Sequence, residues 1–152
     1  MITVNQAFML DTTFFNRVLD GQILPESYLG LSLLVTGVQA DELRATPNTI
    51  RRADLLAVYK ETSPTSLLAS SFSFGIEGAG FGQAYWNDGS GNFEKMLARL
   101  QQLDPKNKKR PGQLRDILIA ETAIKNGATL VSGDSNLRQV VSEFGGHAIC
   151  EL

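Results

Sequence analysis

Four acidic residues, Asp11, Glu42, Asp116 and Asp134, stand at places along the 152-residue chain where a parallel α/β sheet would bring them together. The chain holds one histidine, His147, and one cysteine, Cys150, too few for a zinc site, so a metal here must be held by oxygen. Carboxylates without nitrogen or sulfur partners suit the hard cations Mg²⁺ and Mn²⁺. Such a cluster is what a two-metal phosphodiesterase uses: one ion generates the attacking hydroxide and another stabilises the leaving 3′-oxygen. Singly, each acid has a structural explanation. Asp11 and Asp134 could be helix N-caps, Asp116 could sit in a first helical turn favoured by the dipole, and Glu42 could lie on the outer face of an amphipathic helix. Jointly they are harder to explain that way. Two carboxylates ~4 Å apart repel by about 4 kcal/mol at an effective dielectric of about 20, so a cation is expected among them.

The elements that must position these acids follow from apolar patterning. Ala7-Phe8-Met9-Leu10 reads as a strand ending at Asp11, and Phe14, Phe15, Val18 and Leu19 then recur at helical spacing up to Gly21. Leu31 to Val35 reads as a strand buried on both faces, and Thr36-Gly37-Val38-Gln39 as a capping box opening the helix that carries Glu42. Asp41 points about 100° away from Glu42 on that helix and is expected in solvent. Thr46 and Pro47 read as N-cap and first residue of a helix to about Lys60, with Ile50, Ala53, Leu56 and Ala57 on one side. Residues 62–92 read as irregular or short elements, with Phe72, Phe74, Phe81, Tyr85 and Trp86 as core plugs or a base-stacking surface.

The last third is the most regular. Leu114, Ile117, Leu118, Ala120, Ala123 and Ile124 define a helix face, Gly127 its C′ residue, and Ala128 to Val131 a buried strand. Leu137, Val140 and Val141 mark a further helix stopped at Gly145-Gly146, before a final strand from His147 to Cys150. About ten helical residues after Asp116 run ~15 Å away, and about five strand residues return by nearly the same distance to Asp134. Both acids should therefore meet at the carboxyl edge of the sheet, where open α/β folds bind ligands. Alternating strands and helices imply βαβ units, and the expected fold is a three-layer α/β/α sandwich with a mostly parallel central sheet, formed as one domain over residues 1–152.

At these residues the chain resembles the PIN-domain ribonucleases. The resemblance covers nearly the whole chain and is carried by Leu10-Asp11-Thr12-Thr13, by Val38-Gln39-Ala40-Asp41-Glu42-Leu43, and by the run from Arg115 to Ala123 followed by Thr129-Leu130-Val131-Ser132-Gly133-Asp134. It implies that Asp11, Glu42, Asp116 and Asp134 hold Mg²⁺ or Mn²⁺ and cut an RNA phosphodiester. The sequence departs from the family pattern at Thr13, where the family often has asparagine. A hydroxyl can still hydrogen-bond a carboxylate, and Asn16 one turn on is the other candidate for that work. Ser135 and Asn136 compete as a further polar ligand after the last aspartate.

Lys106-Asn107-Lys108-Lys109-Arg110 is the one dense basic run, six residues before Asp116. Charged runs usually form solvated loops. Beside an acidic edge, however, cations are needed for the phosphates flanking a scissile bond, which makes Lys109, Arg110 and Arg115 the candidate substrate contacts. Arg44, Arg51 and Arg52 could extend the track or pair with acids on their own helices.

Composition sets the outer limits. Fourteen basic and sixteen acidic residues nearly cancel, so affinity for a polyanion must come from local patches. No apolar run reaches the roughly 18 residues that span a bilayer, the N-terminus lacks the pattern of a signal peptide, and a single cysteine forms no internal disulfide, so a cytoplasmic protein without a membrane partner is expected. The expected activity is that of a metal-dependent endoribonuclease, either a stand-alone enzyme or a toxin paired with an antitoxin protein, with RNA as substrate and a homodimer open. The alternative is a catalytically silent PIN-like module that binds RNA or protein. A receiver-like domain would need paired acids after the first strand, which Asp11-Thr12-Thr13 does not supply.

Overall fold

A computed structural model describes residues 6–68, 92–106 and 110–152, the side chains of residues 110 and 111 excepted. Its centre is a five-stranded, all-parallel sheet ordered β3-β2-β1-β4-β5, built from β1 (Ala7–Leu10), β2 (Ser32–Thr36), β3 (Thr65–Leu67), β4 (Thr129–Val131) and β5 (His147–Ile149). Helices α1 (Thr12–Leu19), α2 (Gly37–Arg44), α3 (Thr49–Thr62), α4 (Asn92–Leu103), α5 (Arg110–Lys125) and α6 (Ser135–Glu143) connect and cover it.

Both faces of the sheet are apolar because successive strand residues point to opposite sides. Met9, Leu34 and Leu130 enter one core with Met96 and Leu100 of α4, Ile117 and Ala120 of α5, and Leu137 and Val140 of α6. Leu10, Leu33, Val35 and Val131 enter the other with Phe14 and Phe15 of α1, Leu43 of α2 and Leu55 of α3. The result is the expected three-layer α/β/α sandwich.

Strand order places a topological switch point between β1 and β4. The chain leaves β1 for β2 in one direction across the sheet, over α1 on one face, and leaves β4 for β5 in the other, over α6 on the opposite face. Connections that diverge in this way open a crevice beyond the carboxyl ends of the two central strands.

Helix α3 differs from the sequence expectation in its start and its inner face. Helix α3 begins at Thr49 because Asn48, not Thr46, caps it, its side-chain oxygen accepting from the Ile50 and Arg51 amides at 3.0 Å each. Its inner face is Leu55 with Leu56, Val58 and Tyr59, while Ile50 is 75% exposed and Ala53 and Ala57 face solvent. Helix α4 buries Met96 and Leu100 at the spacing of one turn. In the stretch expected to hold irregular or short elements, Thr65–Leu67 is a short edge strand paired with β2. The aromatics Phe72, Phe74, Phe81, Tyr85 and Trp86, and Lys109 of the basic run, lie outside the described residues.

Candidate active site at the switch point

Asp11 follows the last residue of β1, and its amide donates to the Val131 carbonyl at 3.3 Å, extending the β1–β4 ladder by one bond. Asp11 thus stands on one lip of the crevice. It caps α1 as well, its Oδ1 accepting from the Phe14 amide at 3.3 Å and from the Thr13 hydroxyl at 2.6 Å. Asp134 stands on the other lip, three residues beyond β4, and caps α6 by accepting from the Asn136 and Leu137 amides at 2.9 and 3.2 Å. Its own amide donates to the Ser132 hydroxyl at 3.1 Å, and Arg138 donates to the Ser132 carbonyl at 2.8 Å, so the connection is pinned on both sides. The capping explanation offered for these two aspartates therefore holds, and leaves the second oxygen of each without a donor among the described residues.

Asp116 has no such explanation. Helix α5 begins at Arg110, which puts Asp116 in its second turn, beyond the single turn over which a helix dipole is felt. The expectation that it starts its helix is corrected by that boundary. Its carboxylate makes no hydrogen bond among the described residues, and its pKa is pushed up from 3.8 to about 8, first by burial and then by the negative charges of Glu42, Asp134 and Asp11, with Arg115 opposing. The charges of the other three acids are thus felt at Asp116.

Glu42 projects from α2. Its pKa is also raised, chiefly by burial, with the Thr12 hydroxyl and Arg115 pulling the other way and Asp11 adding to the rise. The Thr12 hydroxyl donates to Glu42 Oε1 at 2.7 Å. Beneath both, the fully buried Gln39 amide donates to the Leu10 carbonyl at 2.7 Å and accepts from the Thr36 amide and hydroxyl at 2.8 and 2.7 Å, completing the capping box of α2.

Of the other residues singled out in the sequence, Thr13 serves Asp11 as a hydroxyl can. Asn16 does not: its carbonyl oxygen accepts from Arg51 at 2.9 Å and its amide turns back to the Thr12 carbonyl. Asn136 contributes its backbone amide to Asp134. Arg115 is half-buried and near enough to Glu42 and Asp116 to favour their ionised forms, while Arg110 opens α5 by its backbone. Arg44 and Arg51 are spent on Asp41 and Asp20. Asp41 is not in open solvent, because α3 packs across α2; its Oδ1 accepts from Arg44 at 2.8 Å and its Oδ2 is buried without a partner among the described residues. Local sequence does not reveal Thr12 and Gln39 as site residues, since their partners are 30 and 29 positions away.

Oxygen-only donors at a switch point fit Mg²⁺ or Mn²⁺ by type. Among the described residues, though, no three Asp, Glu, His or Cys side chains stand close enough to form a ready ligand set around one ion. Also among the described residues, no helix is long and apolar enough to cross a membrane. Compared with known proteins, the chain matches no protein-family model and no curated sequence.

Proposed function

We propose that this chain is a Mg²⁺- or Mn²⁺-dependent endoribonuclease of the PIN-like kind, acting in the cytoplasm on RNA. The observation that carries this reading is Asp116, a carboxylate without a hydrogen bond among the described residues, pushed to a pKa of about 8 by burial and three other acids at the switch point. A divalent cation bound there would relieve that repulsion and favour the ionised carboxylate.

Asp11, Glu42, Asp116 and Asp134 would hold the ions, which when bound supply a water of lowered pKa and neutralise charge on the leaving oxygen. The reaction adds one water oxygen to phosphorus, breaks the bond to the 3′-oxygen, and returns a proton to that oxygen. Asp11 and Asp134 contribute from fixed positions, because the backbone amides of α1 and α6 hold one oxygen of each. Arg115, whose charge acts on Glu42 and Asp116, would meet a phosphate next to the cut. Whether the enzyme acts alone or as a toxin turns on an acidic antitoxin encoded beside it.

One observation favours the second reading, a silent RNA- or protein-binding module: the lack of a ready three-ligand set among the described residues. Incubating the pure protein with RNA and with single-stranded DNA, in Mg²⁺, in Mn²⁺ and in chelator, separates the two. Metal-dependent RNA cleavage abolished by Asp116→Asn supports the nuclease. Binding of RNA with no cleavage under any condition supports the silent module.

A further inference from the structure

We infer that Thr12 is a positioning residue for Glu42, its side-chain hydroxyl fixing the carboxylate through Oε1; this rests on the nuclease reading above. The first turn of α1 carries two successive hydroxyls, and each serves a different acid. Thr13 donates to Asp11 at 2.6 Å, a bond between near neighbours in sequence, whereas Thr12 donates across the helix packing to Glu42 at 2.7 Å. Threonine early in a helix ordinarily satisfies its hydroxyl on nearby backbone. Here the donor is spent on a side chain of another helix.

The consequence is specific to glutamate. Asp11 and Asp134 are short and are held by the amides of the helices they cap, but Glu42 has three rotatable bonds and projects from the middle of α2, where no free amide is available. Thr12 is its one hydrogen-bond donor among the described residues. With Oε1 engaged, the orientation of the Glu42 carboxylate is tied to the start of α1. Hydrogen-bonding partners of metal-holding side chains act this way: they fix direction and are felt in affinity without touching the ion.

The test measures Mn²⁺ dissociation constants on the intact chain from the electron paramagnetic resonance signal of free Mn²⁺, with RNA cleavage in parallel. Thr12→Val keeps the shape and removes the hydroxyl, and should weaken Mn²⁺ binding by about 10- to 100-fold, while Thr12→Ser should restore most of the affinity. Thr12→Ala serves as a second hydroxyl-free variant should valine disturb the start of α1. In a Glu42→Gln background, removing the hydroxyl should cause no further loss, because Thr12 acts through Glu42. Equal Mn²⁺ affinity in the wild type and the hydroxyl-free variants, or the same loss with and without Glu42, overturns the role of Thr12 and leaves the nuclease reading standing. A wild-type protein that binds no Mn²⁺ at millimolar concentration overturns both.

Discussion

The side-chain amide of Gln39 donates to the main-chain carbonyl of Leu10 at 2.7 Å, and this single buried bond ties the strand end that presents Asp11 to the helix that presents Glu42. Leu10 immediately precedes the aspartate, and Gln39 lies three residues, nearly one helical turn, before the glutamate. The acids at the crevice are therefore set by a fully buried polar contact beneath them, not by their own interactions alone.

Gln39→Met keeps length and burial but removes the donor to Leu10 and the acceptor for Thr36. Each group left unsatisfied in the interior should cost about 1–3 kcal/mol. Chemical denaturation of the variant and the parent gives the difference directly, and a loss below about 0.5 kcal/mol would show that the contact is dispensable.

The metal-free protein should become less stable as pH rises toward 8. In the unfolded chain the Asp116 carboxyl releases its proton near 3.8, whereas in the folded state it keeps it to about 8. Between those values the folded state binds the extra proton, so stability is fully present below the unfolded pKa and falls by at most about 1.4 kcal/mol per pH unit until the folded pKa is passed. Asp116→Asn should flatten this slope and be more stable than the parent at pH 8 in chelator, while losing cleavage by orders of magnitude. Denaturation midpoints from pH 5 to 8 check the first claim, and a variant that is less stable and fully active would contradict both.

Adding Mg²⁺ or Mn²⁺ at about 100 times its dissociation constant should stabilise the fold by about 2.7 kcal/mol. The shift in melting temperature should be larger at pH 8 than at pH 6, because the ion has to displace the Asp116 proton. An unmoved melting temperature with both ions at both pH values counts against a metal centre.

Gly146→Ala should destabilise the protein without touching the chemistry. An added Cβ would come within 2.7 Å of Ile124 Cγ1 and 2.8 Å of Val141 Cγ1, with the Val141 carbonyl at 3.3 Å. Overpacking of this kind costs about 1–3 kcal/mol. The residue enters β5 at the amino ends of the strands, opposite the acids, so activity per folded molecule should be unchanged. Equal denaturation midpoints for variant and parent would mean that α5 and α6 yield at this junction.

Local periodicity carried much of the architecture. Apolar runs such as Phe8 to Leu10 and Leu33 to Val35 can be buried on both sides only in a covered parallel sheet, and Thr36 with Gln39 announces a helix start by chemistry confined to four residues. For the same reason Asp11 and Asp134 were legible at strand ends. What tertiary packing alone decided concerns competition between near-equal local choices and contacts between distant residues. Ile50 and Leu55 are both apolar on one helix, and only the Asn48 cap and the placement of α3 across α1 and α2 turned Leu55 inward. Asp41 and Glu42 are adjacent acids, and the packing of α3 and α5 against α2 took one to Arg44 and the other to the crevice. The high pKa of Asp116 arises first from burial and then from charges 18 to 105 positions away, neither of which leaves a mark on the residues beside it in sequence.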